Sequence, residues 1–180
     1  MQLCETRLWQ PVVTRTAHLL CDARSTPPRV AAVLVIDGAK FYADEAPPQE
    51  TISFLQPRGD GQITSLEILA IAFGLSTFID MIRGRNVHVH SDNTGAQHTT
   101  AAGRARVFDH TMLIHSIWTL ALEASISLYV SRVPTKENIA DDPSRERYWL
   151  LDQMGAQAVE PKLDARFRHP DAWESVRISS

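Results

Sequence analysis

The stretch TAHLLCDARSTPPRVAAVLVI, residues 16–36, holds two apolar segments separated by a turn signal. Residues 16–23 and 30–36 are rich in the aliphatic side chains of buried strands, and the adjacent Pro27 and Pro28 break the run between them. Asp37 and Gly38 form a hairpin-turn signal before a third strand that begins at Lys40. The stretch therefore predicts that the domain opens with three antiparallel strands.

Helical and strand patterns alternate after residue 62. Apolar residues recur at three- and four-residue spacing over 63–82 and 105–124, which predicts two long helices. Strands are predicted at 86–91 and 126–133, a short helix at 93–102 that ends at Gly103, and a last helix from about residue 142 to 154. The segment 46–61 is rich in proline and glycine and is expected to be a loop. The pattern predicts an α/β fold with a five-stranded mixed sheet and helices on both faces.

The composition is that of an ordinary globular protein of 180 residues, with 44% apolar and 22% charged residues. We expect an N-terminal extension over 1–15, one domain over 16–155 and a poorly ordered tail or linker over 156–180. The net charge of −3 provides no general attraction for nucleic acid, so a nuclease domain of this charge would either bind it weakly or rely on a tethered partner for affinity. No apolar stretch approaches the length of a membrane span, and Cys21 is expected to be a reduced core thiol. These features predict an intracellular protein, in the cytoplasm or nucleus, without a membrane partner.

Four carboxylates stand where an acid is locally unfavourable: Asp22, Glu67, Asp92 and Asp141. Asp22 and Asp92 end apolar or alternating runs, Glu67 lies within a helical pattern of aliphatic residues, and Asp141 follows the last predicted strand. A buried acid needs a partner, and a divalent cation can serve several acids at once. The order of these acids along the chain indicates a metal-dependent nuclease.

Each acid also has an ordinary structural interpretation. Asp22 could enter a turn, and Asp92 could cap the helix that follows it. Asp142 is expected to be the N-cap before Pro143, which leaves Asp141 for function, with Arg145 four residues on to orient it. The ordered set of four is therefore more informative than any single member.

The chain resembles the ribonuclease H domain of retroelement reverse transcriptases. The resemblance spans about residues 17–151 and rests on four short motifs in a fixed order. These are Asp22-Ala23-Arg24, Leu66-Glu67-Ile68-Leu69-Ala70, Ser91-Asp92-Asn93 and Asn138-Ile139-Ala140-Asp141-Asp142-Pro143-Ser144-Arg145. The chain departs from cellular ribonucleases H in two respects: residues 133–138 contain no histidine, and a basic handle helix is missing.

The resemblance implies a ribonuclease H-like fold and cleavage of the RNA strand of RNA/DNA hybrids. It also implies two Mg²⁺ ions roughly 4 Å apart, with Mn²⁺ as a substitute. Asp22 would bridge the ions, Glu67 and Asp92 would complete one metal site, and Asp141 the other. A polymerase domain of the same polyprotein would be the partner.

Substrate contacts are expected from Asn93, Arg104, Arg106 and Lys136. Asn93 would contact a 2′-hydroxyl in the shallow minor groove, although it is also a good helix cap, and the three cations would contact phosphates. His88 and His90 share a strand face with Asp92. Without a further histidine or cysteine at ligand spacing, the two histidines are interpreted as structural rather than as a zinc site.

Three other functions fit parts of the pattern. An integrase or transposase of the same fold would use Asp22, Asp92 and Glu123, which leaves Glu67 unexplained. A proofreading exonuclease would need an acid two residues after Asp22, where the chain has Arg24. A catalytically silent structural or nucleic-acid-binding domain remains an alternative of a different class, although such domains usually lose acids.

Overall fold

The computed structural model describes residues 15–59 and 62–168, and these form a mixed α/β structure around one central sheet. The strands are β1 (Thr16–Ser25), β2 (Pro28–Ile36), β3 (Ala39–Glu45), β4 (Asn86–Ser91), β5 (Ser127–Arg132) and β6 (Gln157–Ala158). Their order across the sheet is β5-β4-β1-β2-β3-β6. The predicted antiparallel meander of β1, β2 and β3 is confirmed, and β4 and β5 add to β1 in parallel.

The β2–β3 hairpin turns at Asp37 and Gly38, where both residues have positive φ. A two-residue hairpin loop whose twist matches that of the strands requires positive φ at both positions. The hairpin predicted at Asp37 and Gly38 is confirmed.

Helices cover both faces of the sheet. They are α1 (Gln49–Phe54), α2 (Ile63–Thr77), α3 (Ile79–Ile82), α4 (Thr94–Ala102), α5 (Phe108–Glu123), α6 (Asp141–Ser144), α7 (Trp149–Gln153) and α8 (Ala165–Arg168). Leu19 and its alternate neighbours on β1 face the main core beneath α2 and α5. Leu20 faces the opposite side, where Val33, Ala140 and Leu151 form a smaller core beneath α6 and α7. None of the helices in the described part of the chain combines the length and the apolarity that crossing a bilayer requires.

The sheet has six strands rather than the five predicted. The sixth, β6, pairs in parallel with β3 at Phe41 and Tyr42, inside the segment expected to be a tail. Leu163 and Phe167 then return to the main core, where both are buried. The described part of the chain therefore continues the folded unit to residue 168, because two apolar side chains anchor an otherwise polar segment. The expected extension over 1–15, apart from Arg15, and residues 169–180 lie outside the described residues.

One predicted loop and two predicted helices differ from the structure. The expected loop over 46–61 contains α1, whose Thr51 is buried and donates a hydrogen bond to the Phe167 carbonyl. The helix predicted over 63–82 is interrupted at Phe78, which separates α2 from α3. The last predicted helix is two short helices, because Glu146 adopts a positive φ between them.

Gly74 allows helix α2 to pack directly against the sheet. A Cβ atom at this position would approach the Ala32 Cβ to 2.9 Å and the Leu19 side chain to 3.1 Å. The missing side chain lets the helix backbone settle against β1 and β2, and this contact fixes the height of α2 above the strands. Glu67, two turns earlier on the same helix, is positioned by it.

Candidate metal centre

Three of the four predicted acids meet where β1, β4 and α2 converge. Each of Asp22, Glu67 and Asp92 offers a carboxylate oxygen, and these atoms all lie within 4.8 Å of one another. Leu20 of β1 is the register partner of His90 of β4, and the two aspartates stand two residues further along these parallel strands. Alternation along a strand therefore directs both carboxylates to one face at the same level.

Glu67 and Asp22 are the two buried members of this carboxylate cluster, each with 4% of its surface exposed, and Glu67 is the one that lacks full hydrogen bonding. Its Oε1 accepts a hydrogen bond of 3.4 Å from the Ala23 backbone N–H. Its Oε2 is buried and has no hydrogen-bond partner among the described residues. A buried carboxylate oxygen without a donor is costly, so this atom is the clearest sign that a ligand belongs here.

The electrostatics of the cluster reflect uncompensated negative charge. Burial is the main cause that raises the pKa of Glu67 to about 9, and the charges of Asp22 and Asp92 raise it further. Burial likewise raises the pKa of Asp22 to about 7, although a hydrogen bond with Ser144 lowers it in part. The Cys21 thiol beside them is fully buried, and burial and the nearby carboxylates raise its pKa. At neutral pH the cluster would favour either a proton or a cation.

Asp141 lies at the start of α6, close enough for its charge to raise the pKa of both Asp22 and Glu67. Its oxygens accept hydrogen bonds from Arg145 Nε at 2.7 Å and Arg147 Nη2 at 2.9 Å. It is not part of the group that converges within 4.8 Å in the described chain. The fourth predicted acid therefore borders the cluster and is held by cations of its own segment.

Asn138 fixes this segment to the sheet, a role that sequence reasoning did not assign. The buried Asn138 side chain donates a hydrogen bond of 2.9 Å to the Cys21 carbonyl, one residue before Asp22. Its Oδ1 accepts the Ala140 N–H at 3.3 Å. The position of Asn138, three residues before Asp141, is the signal that could have identified it.

Helix capping differs from the expectation. Asp142 is not the N-cap of α6: the cap is Ala140, without a side-chain cap bond, and Asp142 lies in the first turn paired with Arg147. Asn93 rather than Asp92 caps α4, with its Oδ1 accepting the Ala96 N–H at 2.9 Å. Asp92 therefore has no capping role. Because the Asn93 Oδ1 accepts the capping bond, its amide nitrogen is the group that could contact a ligand.

The predicted phosphate contacts fall in two places. Arg104 and Arg106 are exposed and line a groove of about 820 Å³, which also contains Arg58 and His98. Helix α4 borders this groove and begins directly after Asp92, so His98 stands about 9 Å along the helix from that acid. Lys136 is exposed in a separate 3₁₀ turn over Thr135–Glu137.

Glu123 does not approach the acids, so the alternative triad of Asp22, Asp92 and Glu123 is wrong. Glu123 is exposed at the end of α5 and pairs with Arg166 at 2.8 Å. The adjacent Ala124 bonds to Gly84, which precedes β4, whereas Asp92 follows the far end of that strand. A strand of six residues spans about 20 Å, which separates Glu123 from Asp92.

The donor set of the carboxylate cluster suits a hard divalent cation. Carboxylate oxygens are the ligands that Mg²⁺ and Mn²⁺ prefer, and the unpartnered Glu67 Oε2 is available for coordination. Asp22 and Asp92, on neighbouring strands, supply further oxygens within reach of the same ion. The residues present therefore fit the metal that the sequence predicted.

A second group of potential ligands was missed in the sequence. His18, His88 and His90 each offer a ring nitrogen within 4.8 Å of the others. Burial and the other two histidines lower the pKa of His90 to about 4. The sequence does not show which residues of β1 and β4 lie side by side. The pairing register of these strands places His18 directly beside His88.

We predict that Glu67→Gln stabilises the metal-free protein, and that the gain grows with pH. The raised pKa of Glu67 means that unfolding releases a proton from about pH 5 to 9, so its contribution to stability falls as pH rises. Linkage across this interval sets an upper limit of roughly 5 kcal/mol at pH 8, and each 1 kcal/mol gained corresponds to about 2–4 °C in Tm. Thermal unfolding in chelator from pH 5 to 9 measures this difference.

Asp80→Asn is the matched control, because Asp80 is an exposed acid on α3. This variant should not reproduce the stabilisation expected of Glu67→Gln. Adding Mg²⁺ should stabilise the wild type more than Glu67→Gln. A pH-independent or destabilising effect of Glu67→Gln would contradict the raised pKa of the buried Glu67 carboxyl.

Solved structures provide the comparison with known proteins. The chain is similar to the N-terminal RNase H domain of Rv2228c from Mycobacterium tuberculosis, solved as a fusion with maltose-binding protein. The TM-score is 0.53 and the identity 16%, over 79% of this chain and 97% of that one. It is also similar to RNase H1 from the halophilic archaeon Halobacterium salinarum NRC-1, with a TM-score of 0.52 and 13% identity, over 69% and 90% of the two chains.

No protein-family model matches the sequence, and no curated protein matches it significantly. At such low identity the structural similarity establishes the fold alone. The mixed sheet, the flanking helices and these two neighbours together show that the chain has a ribonuclease H-like fold.

Proposed function

We propose that this chain is a metal-dependent endonuclease that hydrolyses the RNA strand of RNA/DNA hybrids. The observation that carries the proposal is the convergence of Asp22, Glu67 and Asp92 within 4.8 Å, with Glu67 Oε2 buried and unpartnered in the described chain. The fold is that of two proteins named as RNase H enzymes, which supports the reaction class by analogy.

The four acids have distinct roles in this proposal. Asp22, within 4.8 Å of both Glu67 and Asp92, would be the ligand shared by two Mg²⁺ ions. Glu67 and Asp92 would complete one ion's ligand set, and Asp141 would serve the other after exchanging part of its contact with Arg145 and Arg147. Bound Mg²⁺, or Mn²⁺ in its place, would supply an activated water and neutralise charge on the leaving oxygen.

The protein itself contributes rigidity to this site. Asn138 ties the Asp141 segment to β1, and Gly74 holds α2 at its short distance from the sheet. Ligands held on a strand, a helix and an anchored turn keep their relative positions without metal. These contacts therefore oppose the separation of the acids that their mutual repulsion would otherwise cause.

The groove lined by Arg104 and Arg106 is the proposed path of the nucleic-acid backbone. Helix α4 joins it to the carboxylates, with Asn93 at the near end and His98 and Thr99 on the wall. The Asn93 amide would donate to a 2′-hydroxyl, the group that distinguishes RNA from DNA. Lys136 would contact a phosphate on the other side of Asp141.

A tethered partner would supply much of the affinity. The chain carries a net charge of −3, and Arg58, one cation of the groove, is paired with the buried Asp109. Weak phosphate attraction is offset when a neighbouring domain holds the substrate at high effective concentration. We infer that this neighbour is a reverse transcriptase polymerase domain, from the resemblance of the four motifs to the retroelement branch.

Cleavage of a labelled RNA/DNA hybrid in Mg²⁺ or Mn²⁺ tests the activity. The RNA strand should be cut at internal positions, while RNA/RNA and DNA/DNA duplexes should remain intact. Asp22→Asn should reduce the rate roughly 10³-fold or more, because it removes the ligand shared by both metal positions. Circular dichroism should show that this variant is folded. Cutting of DNA/DNA with equal efficiency, or full activity in Asp22→Asn, would contradict the proposal.

Asp141→Asn and Asp142→Asn form a matched pair for the fourth acid. Of these two acids, Asp141 is the one whose charge acts on Asp22 and Glu67, although both acids pair with Arg147. We expect at least a 10-fold larger loss of rate for Asp141→Asn than for Asp142→Asn. Single-turnover cleavage rates measure the difference. The reverse order would reassign the fourth ligand to Asp142.

The double variant Arg104→Gln/Arg106→Gln should weaken hybrid binding and reduce its salt dependence. Each lost phosphate contact lowers the slope of log K against log salt by about 1, so the slope should fall by about 2. Fluorescence anisotropy with Ca²⁺ in place of Mg²⁺ prevents cleavage during the measurement. Arg83→Gln, an exposed cation before β4, is the control and should leave the slope unchanged. An unchanged slope in the double variant would exclude the groove as the path.

A further inference from the structure

Three histidines form a compact group on the same sheet face as the carboxylates. His18 of β1 and His88 of β4 are register partners, and His90 lies one alternate position further along β4. His18 is exposed, while His88 and His90 are half-buried. We call these three residues the histidine cluster. Strand alternation from His90 to Asp92 places it about 7 Å from the carboxylate cluster along β4.

The ring nitrogens of the histidine cluster converge on a volume the size of one metal ion. His18 Nδ1 lies 3.1 Å from His90 Nε2, and each of the three rings offers a nitrogen within 4.8 Å of the others. A tetrahedral zinc ion with Zn–N bonds of about 2.0–2.1 Å needs ligand nitrogens about 3.3 Å apart. The rings are stacked, with centroids 4.2 Å apart for His88 and His90 and 5.4 Å apart for His18 and His90, so they would turn out of the stack to direct three nitrogens at one ion.

Neighbouring side chains orient two of the rings. The Ser131 hydroxyl of β5 lies 2.7 Å from His88 Nε2 and 3.4 Å from His90 Nδ1. Its contact with His90 Nδ1 leaves Nε2 facing His18, where a metal ion would replace the present hydrogen bond between His18 Nδ1 and His90 Nε2. The Tyr129 ring packs edge-on against His88 with ring centroids 4.7 Å apart. Supporting contacts of this kind hold histidine ligands in the tautomer and direction that a metal requires.

We propose that His18, His88 and His90 bind one transition-metal ion of the Zn²⁺ type, with solvent completing the coordination. The ligand set consists of three imidazoles, which suit zinc and its neighbours in the transition series, whereas Mg²⁺ prefers oxygen. The site is separate from the carboxylate cluster in both position and ligand chemistry. It does not depend on the proposed nuclease activity.

Metal titration of the folded protein tests the site directly. Zn²⁺ is added during isothermal calorimetry, and Co²⁺ during absorption spectroscopy, both in excess Mg²⁺ so that the carboxylates are already occupied. We expect about one Zn²⁺ per chain in addition to any weak background. The visible Co²⁺ spectrum should show the intense bands of a nitrogen-ligated ion of low coordination number.

Four variants assign the ligands. His18→Gln and His90→Gln should each weaken Zn²⁺ binding more than about 100-fold, and Ser131→Ala, a positioning residue, about 10–100-fold. His115→Gln is the control, because His115 is exposed on α5 away from the sheet face and its loss should leave affinity unchanged. His18 is exposed, so His18→Gln remains informative if the His90 variant fails to fold.

Three outcomes would overturn the proposal. The first is Zn²⁺ binding no tighter in the wild type than in His18→Gln. The second is binding that survives both histidine variants but disappears in Glu67→Gln, which would assign the ion to the carboxylates. The third is a Co²⁺ spectrum identical to that of hydrated Co²⁺ at saturating protein, which would show that the three imidazoles do not coordinate the ion.

Discussion

Mutual repulsion among three carboxylates is the constraint on which the site depends. Asp22, Glu67 and Asp92 converge although Glu67 is almost fully buried and no described residue satisfies its Oε2. Proteins rarely retain such an arrangement unless a cation offsets it, because burial and like charge both disfavour the ionised form. The raised pKa values of Asp22 and Glu67 express that cost in the absence of metal. The surrounding structure must hold the acids together against it.

Two contacts remote from the ion-binding atoms provide that support. Gly74 allows α2 to lie close to the sheet, because a Cβ atom at this position would stand only 2.9 Å from the Ala32 Cβ, and this approach positions Glu67. Asn138 bonds the Cys21 carbonyl and fixes the turn that carries Asp141. Both contacts involve buried groups with little freedom to adjust, so the acids are positioned by the core rather than by one another.

The order of strands and helices along the chain, the antiparallel meander and the candidate acids follow from local patterns in the sequence, because periodicity and turn chemistry are local properties. The sixth strand and α8 do not, since β6 has two residues and its anchors, Leu163 and Phe167, are isolated in a polar segment. The histidine cluster could not be predicted either. His18 lies 70 residues from His88, and only the register of β1 against β4 joins them.

The sheet face thus presents two ligand sets of different chemistry along the same pair of strands. Acids at one end offer negative oxygen donors, and the histidines offer neutral nitrogen donors about 7 Å away. Imidazoles leave the full charge of a bound divalent ion uncompensated, whereas carboxylates offset it. A cation at the histidines would therefore lower the electrostatic cost of the neighbouring acids. The difference in ligand type, rather than the distance between the sites, would direct each metal ion to its own site.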